Sequence, residues 1–431
     1  MANQATTPPV DKELPGYSPQ KPQATARAGQ TEQAYSLETN AGRKWITLRV
    51  TSWSPNPKSL PLFLDGDTIK GTVEVDLEKP ESSKGVSINI SGEVTSVGQE
   101  PQPFLDLSSQ LWTGSKLAAG KQSWPFSIAL PKEVNASENP KSDKGKPYPL
   151  PPSFSERASA AYIDYKITVT VKRGAFKVNQ TLSTSFAYVP RIRAPPPSAL
   201  RLLAYSEGDH LVGPEGDPQG WKTLPPVTVK GTLFDTKGIE IECILAVATP
   251  ISFATGSPIP LFLTLKCSDS QALDLLAAPA APIIYLTRSV AIGSEAANDD
   301  APRRSNNTFV ENIGKAFFWP STEGAPEEGV KKLSGELEVK KGTKPSFIFP
   351  RFSLRHYLTF DAPAAPGFVA STADQPVFTE RISIVTENTP GVVPRSHAPP
   401  GYTHEDTGNY NNSVGYLENG NQRFYHHHPG F

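Results

Sequence analysis

Residues 161–174 read AYIDYKITVTVKRG, and Ile163, Tyr165, Ile167, Val169 and Val171 alternate with Asp164, Lys166, Thr168, Thr170 and Lys172. A period of two puts successive side chains on opposite faces, so this is a strand with one buried and one wet face. The next segment, FKVNQTLSTSFAYV, carries Phe176, Val178, Leu182 and Phe186 on one parity, and KRGAF between the two offers a glycine for the turn. Together they predict a β-hairpin.

The same period recurs on both sides. In DGDTIKGTVEVDLEKP it aligns Ile69, Val73, Val75 and Leu77, and in KGVSINISGEVTS it aligns Val86, Ile88, Ile90 and Val94. Neither has the i, i+3, i+4 spacing of an amphipathic helix. RIRAPPPSAL, residues 191–200, breaks the pattern with three consecutive prolines and reads as the connection between domains, opening a less regular stretch to about residue 225. A second series follows, including PVTVKGTLFD, GIEIECILAVATPI, IPLFLTLKCSD, LSGELEVKKG and ERISIVTE. The expectation is an all-β chain of two tandem antiparallel, immunoglobulin-like β-sandwiches over 41–195 and 196–387. The termini, 1–40 and 388–431, are rich in Pro, Gly, Asn, Gln and Ser without periodic apolar positions and read as disordered tails.

Composition narrows the function classes. The 431 residues carry 42 basic and 43 acidic side chains, so no global field draws the protein to nucleic acid or an anionic membrane. A local contact remains open at Lys172, Arg173, Arg191 and Arg193. Their ordinary role is a solvated face; the alternative is a weak peripheral contact with a phosphoinositide or a phosphorylated cargo. No N-terminal apolar segment or run of about 18 apolar residues occurs, which argues against secretion and membrane spanning and for a cytoplasmic chain. The two cysteines, Cys243 and Cys267, form neither a disulfide framework nor a zinc site, and Cys243 in IECILAVA reads as a buried thiol.

Motifs of catalysis and metal binding are missing from the sequence. GSKLAAGKQS, 114–123, has five residues between its glycines where a phosphate loop has four, and Gln122 stands where Ser or Thr would meet magnesium. It reads instead as a hairpin between Trp112 and Trp124. His356 shares parity with Phe352, Leu354, Leu358 and Phe360 and reads as a hydrogen-bonded core or edge histidine, not a ligand. The three histidines at 426–428 have no preformed geometry for a metal. No enzyme, metal or cofactor is expected.

One cluster in the tail does point to a partner. Pro399-Pro400-Gly401-Tyr402 is a PPxY motif. Adjacent prolines hold the backbone in polyproline II, reducing the entropy lost on docking, and the tyrosine two positions on fills a neighbouring pocket of a WW domain. A second copy, Leu14-Pro15-Gly16-Tyr17, replaces the first proline with leucine and keeps Pro15 and Tyr17.

The blocks FLDGDTIKGTVEVDL (63–77), GVSINISGEV (85–94), LWTGSKLAAGKQSWPFSIALP (111–131), YPLPPSF (148–154) and AYIDYKITVTVKRG (161–174) resemble, in order and spacing, the N-terminal domain of arrestins, most closely the arrestin-related or α-arrestin branch. GIEIECILAVATPISFATGSPIPLFLTL and PSFIFPRFSLRHYLTF look like an arrestin C-terminal domain. No equivalent of the buried charged cluster of visual and β-arrestins is legible, and AANDDAPRRSNNTFVENIGKAFFWPSTEGAPEEG, beginning at residue 296, reads as a long polar loop. The resemblance implies a trafficking adaptor recruited to the plasma membrane or endosomes. It would link an integral membrane cargo, such as a transporter or receptor, to a HECT-type ubiquitin ligase whose WW domains read PPxY. The alternative is a non-catalytic arrestin-fold scaffold in endosomal sorting that recruits no ligase.

Overall fold

The computed structural model describes residues 29–138, 145–156, 159–174, 177–371 and 376–402. Among them are twenty-four strands and two short helices, so the chain is all-β. In the first sandwich, one sheet runs β1 (Thr31–Glu38), β2 (Lys44–Ser52), β4 (Thr68–Leu77), β8 (Gly120–Ala129). The facing sheet runs β3 (Leu62–Leu64), β12 (Gln180–Val189), β11 (Ala161–Arg173), β5 (Glu81–Ser96), β6 (Gln102–Thr113), with β7 (Lys116–Leu117) also paired to β5. A two-stranded ribbon joins β9 (Glu133–Ala136) to β10 (Lys146–Pro149).

The second sandwich repeats this plan. One sheet runs β20 (Phe317–Pro320), β21 (Val330–Glu338), β17 (Pro258–Lys266), β15 (Lys237–Ala248), β14 (Val227–Leu233), β23 (Phe368–Ala370), with β13 (Trp221–Thr223) on β15. The other runs β16 (Ser252–Ala254), β24 (Phe378–Val385), β22 (Arg351–Asp361), β18 (Ile283–Gly293), β19 (Thr308–Lys315). In each sandwich a three-residue strand pairs parallel with the last strand, β3 on β12 and β16 on β24. The remaining pairings are antiparallel, so the two halves share one topology.

The alternation in AYIDYKITVTVKRG does what its period requires. Ile163, Tyr165, Ile167, Val169 and Val171 are at most 2% exposed, and each such side chain stabilises the fold by roughly 1.5–3 kcal/mol. β11 and β12 form the expected hairpin, with Tyr165 opposite Phe186 and Val169 opposite Leu182. Tyr165 also donates its hydroxyl to Pro151 O at 2.5 Å, so the buried ring keeps its polar end satisfied. Asp164 departs from the pattern: it is buried, and burial pushes its carboxyl up to about 6.

Three other expectations change. Residues 31–38 form β1 on the edge of the first sheet, so the first sandwich begins inside the segment read as a tail. GSKLAAGKQS is no hairpin, because β6 and β8 belong to opposite sheets and the segment crosses between them. The segment read as a long polar loop contains β19 and β20, whose partners β18 and β21 lie far enough away in sequence to hide the pairing from local pattern.

The connector folds as well. After the three prolines, Ser198 caps α1 (Ala199–Glu207) by accepting the Arg201 N–H at 3.2 Å, and Gly208, at φ +79°, ends it. Arg201 is buried there, donating to Thr249 O at 2.8 Å and to Gly220 O, with its guanidinium 4.9 Å from the Trp221 ring centre. The second helix, α2 (Ser270–Leu276), is capped by Asp269, which accepts the Ala272 N–H at 2.7 Å.

The two sandwiches have separate cores, but the first borrows from the second. Val290, Phe349, Phe352 and Leu354 pack among the core residues of the first sandwich. Phe349 meets Phe104 edge-on at 5.0 Å, and Phe352 meets Phe154 at 4.8 Å. Arg351 reaches across to Gln99 Oε1 at 2.7 Å. An aromatic interface of this kind couples the sandwiches more firmly than a polar linker would.

Candidate functional site

The expected partner motif lies at the end of a segment that leaves β24 and runs over the second sandwich. Its first residues are tied back to the connector: Ala194 N donates to Glu387 O at 2.9 Å and Thr389 Oγ1 to Ala194 O at 2.6 Å. Asn388 Nδ2 reaches Ser257 Oγ at 2.9 Å. Further on, the His397 N–H donates to Glu336 Oε2 on β21 at 3.0 Å, and its ring stacks on Tyr205 of α1 at 5.8 Å and 25°. Burial lowers the His397 pKa, and the positive neighbours His210 and Arg395 act in the same direction.

Pro399, Pro400 and Tyr402 sit in a chain reversal, where the sequence predicts an open polyproline ridge. The Tyr402 N–H donates to Pro399 O at 3.2 Å, and Gly401 has φ +96°. Proline at the second position and a positive-φ glycine at the third specify a type II turn. The turn lays the Tyr402 ring 6.1 Å from that of Trp319 on β20, which packs against Phe317 at 5.7 Å. Pro400 remains exposed and Tyr402 is half-buried. Residues 388–402, read from composition as disordered tail, are thus ordered against the sandwich; no local signal foretells contacts to residues 61 to 195 positions away. Leu14, Pro15 and Tyr17, and the histidines at 426–428, lie outside the described residues.

A second cluster escaped the sequence reading. Arg288 on β18 holds Glu156 of the first sandwich with Nη1 at 3.0 and 2.9 Å from its two carboxylate oxygens, and reaches Glu311 with Nη2 at 2.7 Å. Both Arg288 and Glu156 are buried. Burial raises the Glu156 carboxyl, with Arg288 and Lys344 pulling the other way. Lys344, itself buried, is pushed down to about 8 by burial and by Arg288. A charged cluster therefore spans the two sandwiches. Its members are far apart in sequence, so only the fold assembles them.

His356 is fully buried, with Nδ1 2.9 Å from Ser346 Oγ, in keeping with a core role. Cys243 and Cys267 are buried free thiols, and burial pushes Cys243 up to about 12. Three of the four basic residues suspected of anion binding have acidic neighbours: Arg173 pairs with Glu81, while Arg191 and Arg193 flank Glu387 at 3.5 and 3.2 Å; Lys172 is exposed on β11. Among the described residues no group of three or more His, Cys, Asp or Glu is arranged to hold a metal ion, and no helix is long and apolar enough to cross a membrane. No protein-family model matches the chain, and no curated protein sequence matches it either.

Proposed function

We propose that this chain is an arrestin-like trafficking adaptor. The paired sandwiches engage an integral membrane cargo, and Pro399, Pro400 and Tyr402 recruit a HECT-type ubiquitin ligase through its WW domains, so that the cargo is ubiquitinated and internalised. The adaptor works by proximity, raising the effective concentration of ligase at cargo, and performs no chemistry of its own. It acts in the cytoplasm and is recruited to the plasma membrane or endosomes.

The observation that carries this reading is the position of the PPxY motif on the surface of a two-sandwich body, with Pro400 exposed and the preceding residues fastened at Ala194 and Ser257. A partner caught there is tethered within about ten residues of the sandwiches, close to whatever they hold. The second motif, at Leu14, Pro15 and Tyr17, adds avidity if a tandem WW protein engages both.

The test is binding of a purified WW domain to the full-length protein. Tyr402→Ala is expected to abolish or strongly weaken it; equal binding by the variant refutes ligase recruitment through this motif. The packing of Tyr402 against Trp319 favours a second reading, a sorting scaffold in which the turn is structural and no ligase is recruited. Cargo ubiquitination that persists after deletion of residues 388–431 supports that alternative.

A further inference from the structure

We propose that Trp319, Phe317, Tyr205 and Glu336 form an intramolecular receptor for residues 395–402, and that this docking competes with a WW domain for Tyr402. The inference rests on the ligase-recruiting reading above and adds a control to it.

Three elements of the second sandwich converge on the segment. Helix α1 offers Tyr205 to the His397 ring, β21 offers the Glu336 carboxylate to the His397 N–H, and β20 offers Trp319 to Tyr402. The contacts are spaced along the segment, so it is held at two points with the prolines between them. The turn at Gly401 supplies the geometry: its φ of +96° folds Tyr402 back over Trp319 instead of letting it extend from the proline pair.

A WW domain needs the proline ridge and the tyrosine ring together, the ring seated in its own pocket. The half-buried ring of Tyr402 cannot occupy that pocket and the face of Trp319 at once. The two states are therefore mutually exclusive, and the apparent affinity for the WW domain is its intrinsic value scaled by the undocked fraction. The docking contacts are two aromatic pairs and one hydrogen bond to a carboxylate, each worth a factor of a few, offset by the entropy of ordering the segment. That balance leaves docking reversible. A partner that binds the undocked segment, or one that covers the Trp319 face, shifts it.

The experiment titrates full-length wild type, Trp319→Ala and His397→Ala with one purified WW domain from a HECT-type ligase, alongside amide hydrogen exchange at His397 and Tyr402. Trp319→Ala leaves the motif itself untouched, while His397→Ala leaves the sandwich untouched, so a folding defect in one does not obscure the other. Both variants are expected to bind roughly three- to ten-fold more tightly than wild type, with faster exchange at the two amides. Equal affinities for all three proteins overturn the competition and leave ligase recruitment standing. Absence of WW binding by all three overturns ligase recruitment and the competition with it.

Discussion

Glu156 of the first sandwich and Arg288 of the second meet through two hydrogen bonds, at 3.0 and 2.9 Å, with both side chains buried between the domains. Such a pair contributes little net stability over a well-packed apolar replacement, yet losing one member leaves the other charge stranded. Glu156→Gln is expected to cost about 3 kcal/mol, because Glu311 still partly compensates Arg288. Glu156→Gln combined with Arg288→Met should recover most of that loss. Thermal unfolding of the two single variants and the double variant checks this; additive losses would show that the two residues are not coupled.

The core histidine imposes a pH dependence of definite sign. Burial holds His356 down to about 3, against an ordinary value near 6.5, so the unfolded chain takes up a proton there that the folded chain refuses. The stabilising difference is fully present above about 6.5 and is lost as pH falls toward the folded value, by about 1.4 kcal/mol per pH unit. Asp164, pushed up to about 6, acts oppositely over part of that range, so the whole-protein profile mixes both. The difference between wild type and His356→Gln isolates the histidine: between pH 7 and 5 wild type should lose about 2 kcal/mol relative to the variant in denaturant melts. Parallel profiles would show that His356 titrates normally.

Much of the fold was legible because its strands alternate. Ile163 through Val171 announce one buried face, and that face is what closes the first core. The pattern fails where burial comes from outside the strand's own period. Asp164 lies on the parity that should be wet, and nothing in its local sequence marks it as buried. Glu156 and Arg288, separated by 132 positions, read singly as surface charges. The sequence at Pro399 to Tyr402 reads as a ligand motif, but nothing local foretells where it seats, since Trp319 and Tyr205 lie in segments read as a polar loop and an irregular connector. Proline and glycine content signals missing periodicity; it does not signal missing contacts.

Gly71 tests how tightly the first sandwich is packed. A Cβ there would lie 2.1 Å from Arg49 O and 2.7 Å from Phe126 Cζ, and the carbonyl belongs to a paired strand that cannot move aside. Gly71→Ala is expected to cost about 2–3 kcal/mol through overpacking. Gly238, on β15, meets nothing within 4 Å, so Gly238→Ala should stay within about 0.5 kcal/mol of wild type or be slightly stabilising. Chemical denaturation of the pair provides the comparison, and a near-neutral Gly71→Ala would mean that β2 and β4 are further apart than their register requires.

Phe352 should report on whether the two sandwiches unfold together. It belongs to β22 of the second sandwich but is fully buried in the first core, edge-on to Phe154 at 4.8 Å and to Phe347 at 5.3 Å. Removing the ring opens a cavity at the joint, so Phe352→Ala is expected to cost about 3–5 kcal/mol. Phe318→Ala, at an equally buried site wholly inside the second core, should cost a similar amount. The two differ in where the loss falls. Phe318→Ala weakens the second sandwich and should lower a single shared transition, because the aromatic joint still couples the halves. Phe352→Ala weakens the joint itself and should split the calorimetric transition in two. A single transition in both variants would show that the joint is held by the charged cluster at Arg288 more than by its aromatic rings.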